Sequence, residues 1–202
     1  IFEKWAEKIT GYDLLITQWY GKGVDAFPLK LHYIPHGFNP DLHFPMKQDI
    51  LYDAIFIGRN QQKNRRPNKY IYKINNVKYF GYGWPGNFEI AEIDELSKLY
   101  NQAIVCPNFH GINQKGDFCM LNERTYQILA CGGFQICDYI PGMEDFFEEN
   151  TLLWEEYPKE WVKKIKYYIN HPMERHEFIQ NGLKYIQRYS YHKIMKDFIK
   201  LL

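Results

Sequence analysis

The sequence predicts an α/β protein with a Rossmann-like, doubly wound parallel sheet and a set of closing C-terminal helices. Short apolar runs rich in Ile, Val, Phe and Tyr alternate along the chain with segments of helical period. The runs are too short and too continuous for strands with one exposed face, so they indicate strands buried on both faces. The repetition of strand, helix and strand favours right-handed βαβ units in one parallel sheet.

The same patterns give the order of the elements. Seven strands are predicted, over residues 13–17, 30–34, 54–58, 77–81, 103–107, 134–138 and 152–155. Three helices are predicted between them, at residues 67–74, 93–100 and 123–130. The last third of the chain changes to three amphipathic helices, which are separated by Pro172 and by the pair Tyr189 and Ser190.

The helix at 123–130 has the clearest local signals. Asn122 is a good N-cap, and Glu123 places a favourable acid in the first turn. Gly132 or Gly133 supplies a left-handed residue after the last turn. The apolar run that follows reads as a buried strand, so the segment predicts one complete helix-to-strand unit.

Composition limits the classes of function. The 202 residues are 46% hydrophobic, which suffices for a packed core, and 25 basic against 24 acidic residues give a net charge of +1. This balance argues against a nucleic-acid partner. The four cysteines form no CxxC pair and lie mostly in apolar runs, which favours reduced thiols and a cytoplasmic location. No apolar stretch of about 18 residues appears, so no transmembrane segment is expected.

Two segments are candidate phosphate sites, because ligands of doubly wound sheets bind beyond the carboxyl ends of the strands. The first is the helix start, where Asn122, Glu123, Arg124 and Thr125 would surround unpaired N–H groups at a positive helix end. The second is the loop after the predicted strand 54–58, which carries Gly58, Arg59, Lys63, Arg65 and Arg66. Arginine forks match phosphate oxygens, although a merely solvated basic loop is the alternative. The sequence has no P-loop, and no GxGxxG turn opens a helix after the first strand.

At this point the motifs resemble a known family. The stretch "NERTYQILACGGFQICDYIPGMEDFF" is similar to the signature of GT-B glycosyltransferases, in the branch of the spore-maturation type. The stretches "FIGR", "YFGYGWPG" and "YPKEWVKKIKYYINHPMERHEFIQNGLKYI" extend the likeness over nearly everything from about residue 50. The stretch "YDLLITQWYGKGVDAFPLKLHYIPHGFNP" is similar to the passage between the two domains of such enzymes.

The resemblance implies a metal-independent transfer of a sugar from a nucleotide-sugar to an acceptor hydroxyl. The nucleotide-sugar is then a co-substrate and no cofactor is expected, while the acceptor, a glycan, protein or small molecule, stays open. Residues 1–47 are expected to be a remnant of the acceptor domain with the linker, and residues 48–202 the donor-binding domain. The first residue is Ile1, which suggests an excerpt of a longer chain. Arg59 and Arg124 are expected to stabilise the leaving diphosphate.

One position departs from the family. Gln127 stands where the family has the glutamate that accepts from the ribose hydroxyls, and a neutral amide loses the charged part of that bond. An earlier glutamate found in some relatives would fall at Cys119, so sugar contacts are not predicted there. A catalytically silent nucleotide-sugar-binding or scaffold domain is therefore the alternative function.

The remaining candidates each have a simpler explanation. Gly81, Gly83 and Trp84 match the glycine-rich turn of the family, yet an aromatic ring folded over a turn is the commoner use of such a tryptophan. Asn108 and His110 follow a predicted strand and could contact the donor. His36 could reach the cleft from the linker, or simply bond within a turn. No metal ligands are assigned.

Overall fold

The computed structural model describes residues 11–60, 71, 73–84, 89–110 and 117–202. Three members of the basic loop, Lys63, Arg65 and Arg66, lie outside the described residues. The same holds for most of the helix predicted at 67–74.

The centre of the molecule is a parallel sheet of five strands in the order β4-β3-β5-β6-β7. The strands are β3 (Tyr52–Ile57), β4 (Val77–Phe80), β5 (Ala103–Asn108), β6 (Gln135–Asp138) and β7 (Leu153–Glu155). Because β4 lies on one side of β3 and β5 on the other, the winding reverses between β3 and β5. This reversal is where doubly wound sheets bind ligands. The predicted fold class is confirmed, and the ends of these five strands lie within two residues of their predicted positions.

The helices follow the predicted pattern. A 3₁₀ turn at Ile93–Glu95 leads into α2 (Leu96–Asn101), and α3 (Glu123–Ala130) has the predicted bounds. The closing helices are α4 (Pro158–Ile169), α5 (Pro172–Ile186) and α6 (Tyr191–Ile199). Prolines in the first turn start α4 and α5, and the Ser190 side chain caps α6 by accepting from the Lys193 N–H.

Both faces of the sheet are buried, which explains the continuous apolar runs. On one face Val105 and Ile136 pack with Trp161 and Ile165 of α4. On the other face Cys106 packs against α2 and α3, which cover that face of the sheet. All four cysteines are buried and free, as predicted. Burial raises the pKa of the Cys131 thiol to about 12, so it stays protonated.

Residues 11–49 lie beside this α/β unit. Strand β1 (Ile16–Thr17) pairs in parallel with β2 (His32–Tyr33), and α1 (Lys22–Asp25) lies between them in the chain. Both strands are shorter than predicted, because a sheet of only two parallel strands offers few ladder partners. The segment 36–49 has no helix or strand, as its prolines predicted. The boundary predicted at residue 47 stays a prediction.

Candidate functional site

The start of α3 lies at the carboxyl ends of the central strands, and its cap is the predicted one. Asn122 is extended, and its Oδ1 accepts from the Thr125 N–H at 3.1 Å. The first N–H groups of a helix have no acceptor within the helix, so this end carries a partial positive charge. The Arg124 side chain adds a full charge in the same turn. This end of the molecule favours an anion.

Arg124 holds two strand ends together. Its Nη1 donates to the carbonyl of Ile57 at 2.6 Å, and its Nη2 donates to the carbonyl of Phe109 at 2.8 Å. The guanidinium also lies 5.2 Å from the centre of the Phe56 ring. These contacts join the end of β3 to the end of β5 across the point where the winding reverses. The cation is thereby fixed at the edge where the ligand is expected.

A buried polar network supports the cap. Asn108 Nδ2 donates to Asn122 Oδ1 at 3.1 Å and to Thr125 Oγ1 at 3.0 Å. Asn122 Nδ2 donates in return to Asn108 Oδ1 at 3.0 Å. Asn108 and Thr125 are fully buried. Buried amides that bond each other fix one orientation, so the last residue of β5 sets where α3 begins.

His110 extends the network to β6. Its backbone N–H donates to Asp138 Oδ1 at 2.9 Å, and its Nδ1 lies 2.7 Å from the same oxygen. Its Nε2 lies 3.0 Å from Thr125 Oγ1. The ring of His110 therefore links the Asp138 carboxylate to the Thr125 hydroxyl through its two nitrogens. Because Thr125 is buried, this series of hydrogen bonds orients the side chains and does not present a nucleophile.

The glycine-rich turn packs against the loop after β3. Gly81 has φ +115°, and a Cβ there would meet the Gly58 carbonyl oxygen at 2.6 Å. Gly83 has φ +86°, and a Cβ there would meet the Asn60 carbonyl oxygen at 2.6 Å. The two backbone segments lie too close together for a side chain at either position, which explains why both residues are glycines. Asn60 Nδ2 also donates to the Gly83 carbonyl at 2.8 Å.

Trp84 is part of this packing. Its ring is buried and stacks on Tyr79 with the centroids 4.3 Å apart, and its Nε1 donates to the Gly58 carbonyl at 2.8 Å. Trp84 therefore serves as an aromatic ring folded over the turn. Through this hydrogen bond Trp84 holds the Gly58 carbonyl in place. Arg59, the next residue, is exposed at the same edge.

Gln127, which departs from the family motif, lies one turn after Glu123 on the same face of α3. Gln127 is half-buried, and the Glu123 side chain is exposed. His36 of the linker approaches this side, with Nδ1 3.6 Å from Glu123 Oε1 and 3.2 Å from Gln18 Nε2. Burial lowers the pKa of His36, and Glu123 opposes this shift. The linker therefore borders the helix face where the ribose contact is expected.

Sequence reasoning missed three polar residues of this edge: Gln18, Asn60 and Asp138. The signal for Asp138 was available, because an acid at the carboxyl end of a buried parallel strand lies at the ligand edge. Asn60 and Gln18 act through distant partners, which no local pattern shows. Among the described residues, no group of three or more His, Cys, Asp or Glu side chains could hold a metal ion. None of the described helices meets the length and hydropathy needed to cross a membrane.

Comparison with solved structures identifies the fold. Sucrose-phosphate synthase from Thermosynechococcus elongatus is similar with a TM-score of 0.69 at 14% identity, over 99% of this chain and 60% of that one. T4 phage BGT in complex with its UDP-glucose substrate has a TM-score of 0.64 at 14% identity, over 85% of this chain and 56% of that one. S. aureus TarM, in a complex that includes UDP, has a TM-score of 0.63 at 15% identity, over 88% and 40%. These likenesses show the GT-B glycosyltransferase fold.

The family follows from the sequence itself. The family model described as "Glycosyl transferase-like" matches residues 62–200, and the chain belongs to this family. A comparison with curated proteins finds no match. The chain spans at most about 60% of the length of the three structures above.

Proposed function

We propose that this chain is the donor-binding part of a metal-independent GT-B glycosyltransferase of the spore-maturation branch. It binds a nucleotide-sugar, and the acceptor hydroxyl attacks the anomeric carbon as the nucleoside diphosphate leaves. The observation that carries the proposal is the fixed position of Arg124 beside the capped start of α3, at the reversal of the sheet. Four buried free thiols suit a cytoplasmic setting.

In this proposal the charges act on the leaving group. The helix end and Arg124 stabilise the negative charge that develops on the diphosphate, and exposed Arg59 adds a second cation from the loop after β3. Lys63 and Arg65 belong to the same proposal from sequence alone. Asn108, His110 and Thr125, which are buried, position the cap instead of touching the donor. Gly58, Gly81 and Gly83 let the two loops meet behind the phosphates.

The half-buried Gln127 favours a second candidate, a nucleotide-sugar-binding domain without transfer activity. In both candidates the amide faces the ribose, but an uncharged acceptor holds the two hydroxyls less strongly. The candidates differ in turnover and agree on binding. Hydrolysis or transfer of the bound donor by the full-length protein separates them.

Binding is tested with nucleotides and nucleosides. UDP, GDP and ADP are each compared with their nucleosides by calorimetry and by thermal shift. A ligand at about 100 times its Kd stabilises by about 2.7 kcal/mol, which raises Tm by roughly 5–10 °C in a chain of this size. We expect one diphosphate to bind more tightly than its nucleoside. Equal affinity within every pair would refute the phosphate assignment.

A further inference from the structure

A cavity lies at the carboxyl edge of the sheet, beyond the network of His110 and Asp138. Its volume is about 300 Å³, and it lies beside the carboxyl ends of β6 and β7. We name it the β7 pocket, lined by Tyr139, Trp154, Glu155, Glu156, Tyr157 and Lys164. The register pairs Asp138 with Glu155, so both carboxylates lie on one face of the sheet. The β7 pocket therefore lies at the same carboxyl edge of the sheet as the nucleotide site proposed above.

The polar groups of the β7 pocket are held in place by the protein. Glu155 Oε2 lies 2.7 Å from Lys164 Nζ, and Glu155 Oε1 accepts from the Tyr157 N–H at 3.0 Å. Burial alone would raise the pKa of Glu155, but the bonds from Lys164 and from the backbone outweigh burial and lower it. The carboxylate is thus a charged acceptor with a fixed orientation. A fixed acceptor loses little entropy when it binds a ligand.

The charges select against an anion. Lys164 balances Glu155, and the exposed Glu156 leaves a net negative charge at the rim. A phosphate or carboxylate ligand would meet this charge, whereas a neutral polyhydroxyl ligand can donate to the carboxylates and accept from the ammonium group. The chemistry favours a neutral ligand with several hydroxyl groups.

The aromatic residues add apolar faces. Tyr157 is 63% exposed, and Trp154 is partly buried. The Tyr139 hydroxyl donates to Glu144 at 3.1 Å, which fixes its ring at the mouth. A pyranose ring has an apolar face of C–H groups and a rim of hydroxyls, so it fits a shallow site of aromatic rings beside a carboxylate.

We propose that the β7 pocket binds a neutral sugar unit of a glycan acceptor, away from the hydroxyl that reacts. The identity of the glycan as acceptor rests on the proposed function, but binding in the β7 pocket needs no nucleotide. The β7 pocket thereby gives the acceptor class that sequence analysis left open.

The test measures saccharide binding without nucleotide. Maltose, cellobiose, lactose and N,N′-diacetylchitobiose are the probes, measured by saturation-transfer NMR and titration. We expect at least one to bind with a millimolar Kd, and Tyr157→Ala to weaken it about tenfold. Glu155→Gln should weaken it as well. Tyr167→Ala, which changes an exposed tyrosine of α4 outside the β7 pocket, should leave it unchanged.

The opposite results are distinct. If none of the four probes binds saturably, or if the bound signal survives Tyr157→Ala, the β7 pocket is not a saccharide site. UDP, GDP and ADP are each titrated into the same preparations. Binding of one of these nucleotides without saccharide binding refutes only this inference, whereas saccharide binding through Tyr157 with no binding of any of the three supports it and refutes the nucleotide assignment.

Discussion

Removing the Arg124 side chain should weaken the fold and the binding of phosphate separately. In Arg124→Ala the carbonyls of Ile57 and Phe109 lose their donors at 2.6 and 2.8 Å. Each hydrogen bond to a charged group contributes about 1.5–3 kcal/mol, and partial exposure of the guanidinium reduces this. We expect the free energy of unfolding to fall by about 2–4 kcal/mol. In a chain of this length Tm should fall by roughly 5–15 °C.

The assay is urea denaturation of the wild type and the variant, followed by titration with a nucleoside diphosphate and its nucleoside well below Tm. Lys163→Ala is the control, because its exposed pair with Glu160 is worth only a few tenths of a kcal/mol. If Arg124 both joins the strands and faces the phosphates, the preference for the diphosphate should also shrink. A variant as stable as the wild type would refute the bridging role, and an unchanged preference would refute the phosphate role.

Four further outcomes are expected. Nucleotide binding should survive chelation by EDTA, and a need for Mg²⁺ or Mn²⁺ would contradict the metal-independent proposal. Gln127→Glu should favour a ribonucleotide over its 2′-deoxy analogue by about 1 kcal/mol, measured as a ratio of Kd values in a variant with unchanged Tm. Gly81→Ala should destabilise by about 1–3 kcal/mol more than Gly11→Ala, which has a similar φ but open space, in parallel denaturation curves. Burial lowers the pKa of His43 from 6.5, so stability should be full above that pH and fall as the pH drops below it; His43→Gln should flatten this dependence in urea midpoints.

The sheet and α3 could be predicted because each depends on local signals. A run such as the one at 103–107 is apolar on both faces, and Asn122 with Gly132 bounds one helix. The short strands β1 and β2 could not be predicted at their true length. Their extent depends on how many neighbours pair with them, and period and propensity carry no information on that.

For the candidate site, the sequence predicts a location but not the contacts of its side chains. The charge of Arg124 and its place on α3 follow from the sequence, whereas its acceptors are backbone carbonyls 67 and 15 residues away. A carbonyl has the same chemistry in every residue, so no motif marks Ile57 or Phe109. The burial of Asn108 and His110 could not be predicted either, because their hydrogen-bond partners Thr125 and Asp138 are distant in the sequence.

The network of Asp138, His110 and Thr125 connects three elements at the carboxyl edge of the sheet. Asp138 ends β6, His110 follows β5, and Thr125 lies in the first turn of α3, so one hydrogen-bonded chain fixes three elements relative to each other. On the far side, Asp138 pairs in register with Glu155 of the β7 pocket. A nucleotide at α3 and a saccharide in the β7 pocket would thus bind on either side of one hydrogen-bonded connection, in which His110 and Thr125 are buried and Asp138 is partly exposed. Such a connection holds two ligands at a constant separation without itself contacting either, which is how a scaffold favours transfer between them.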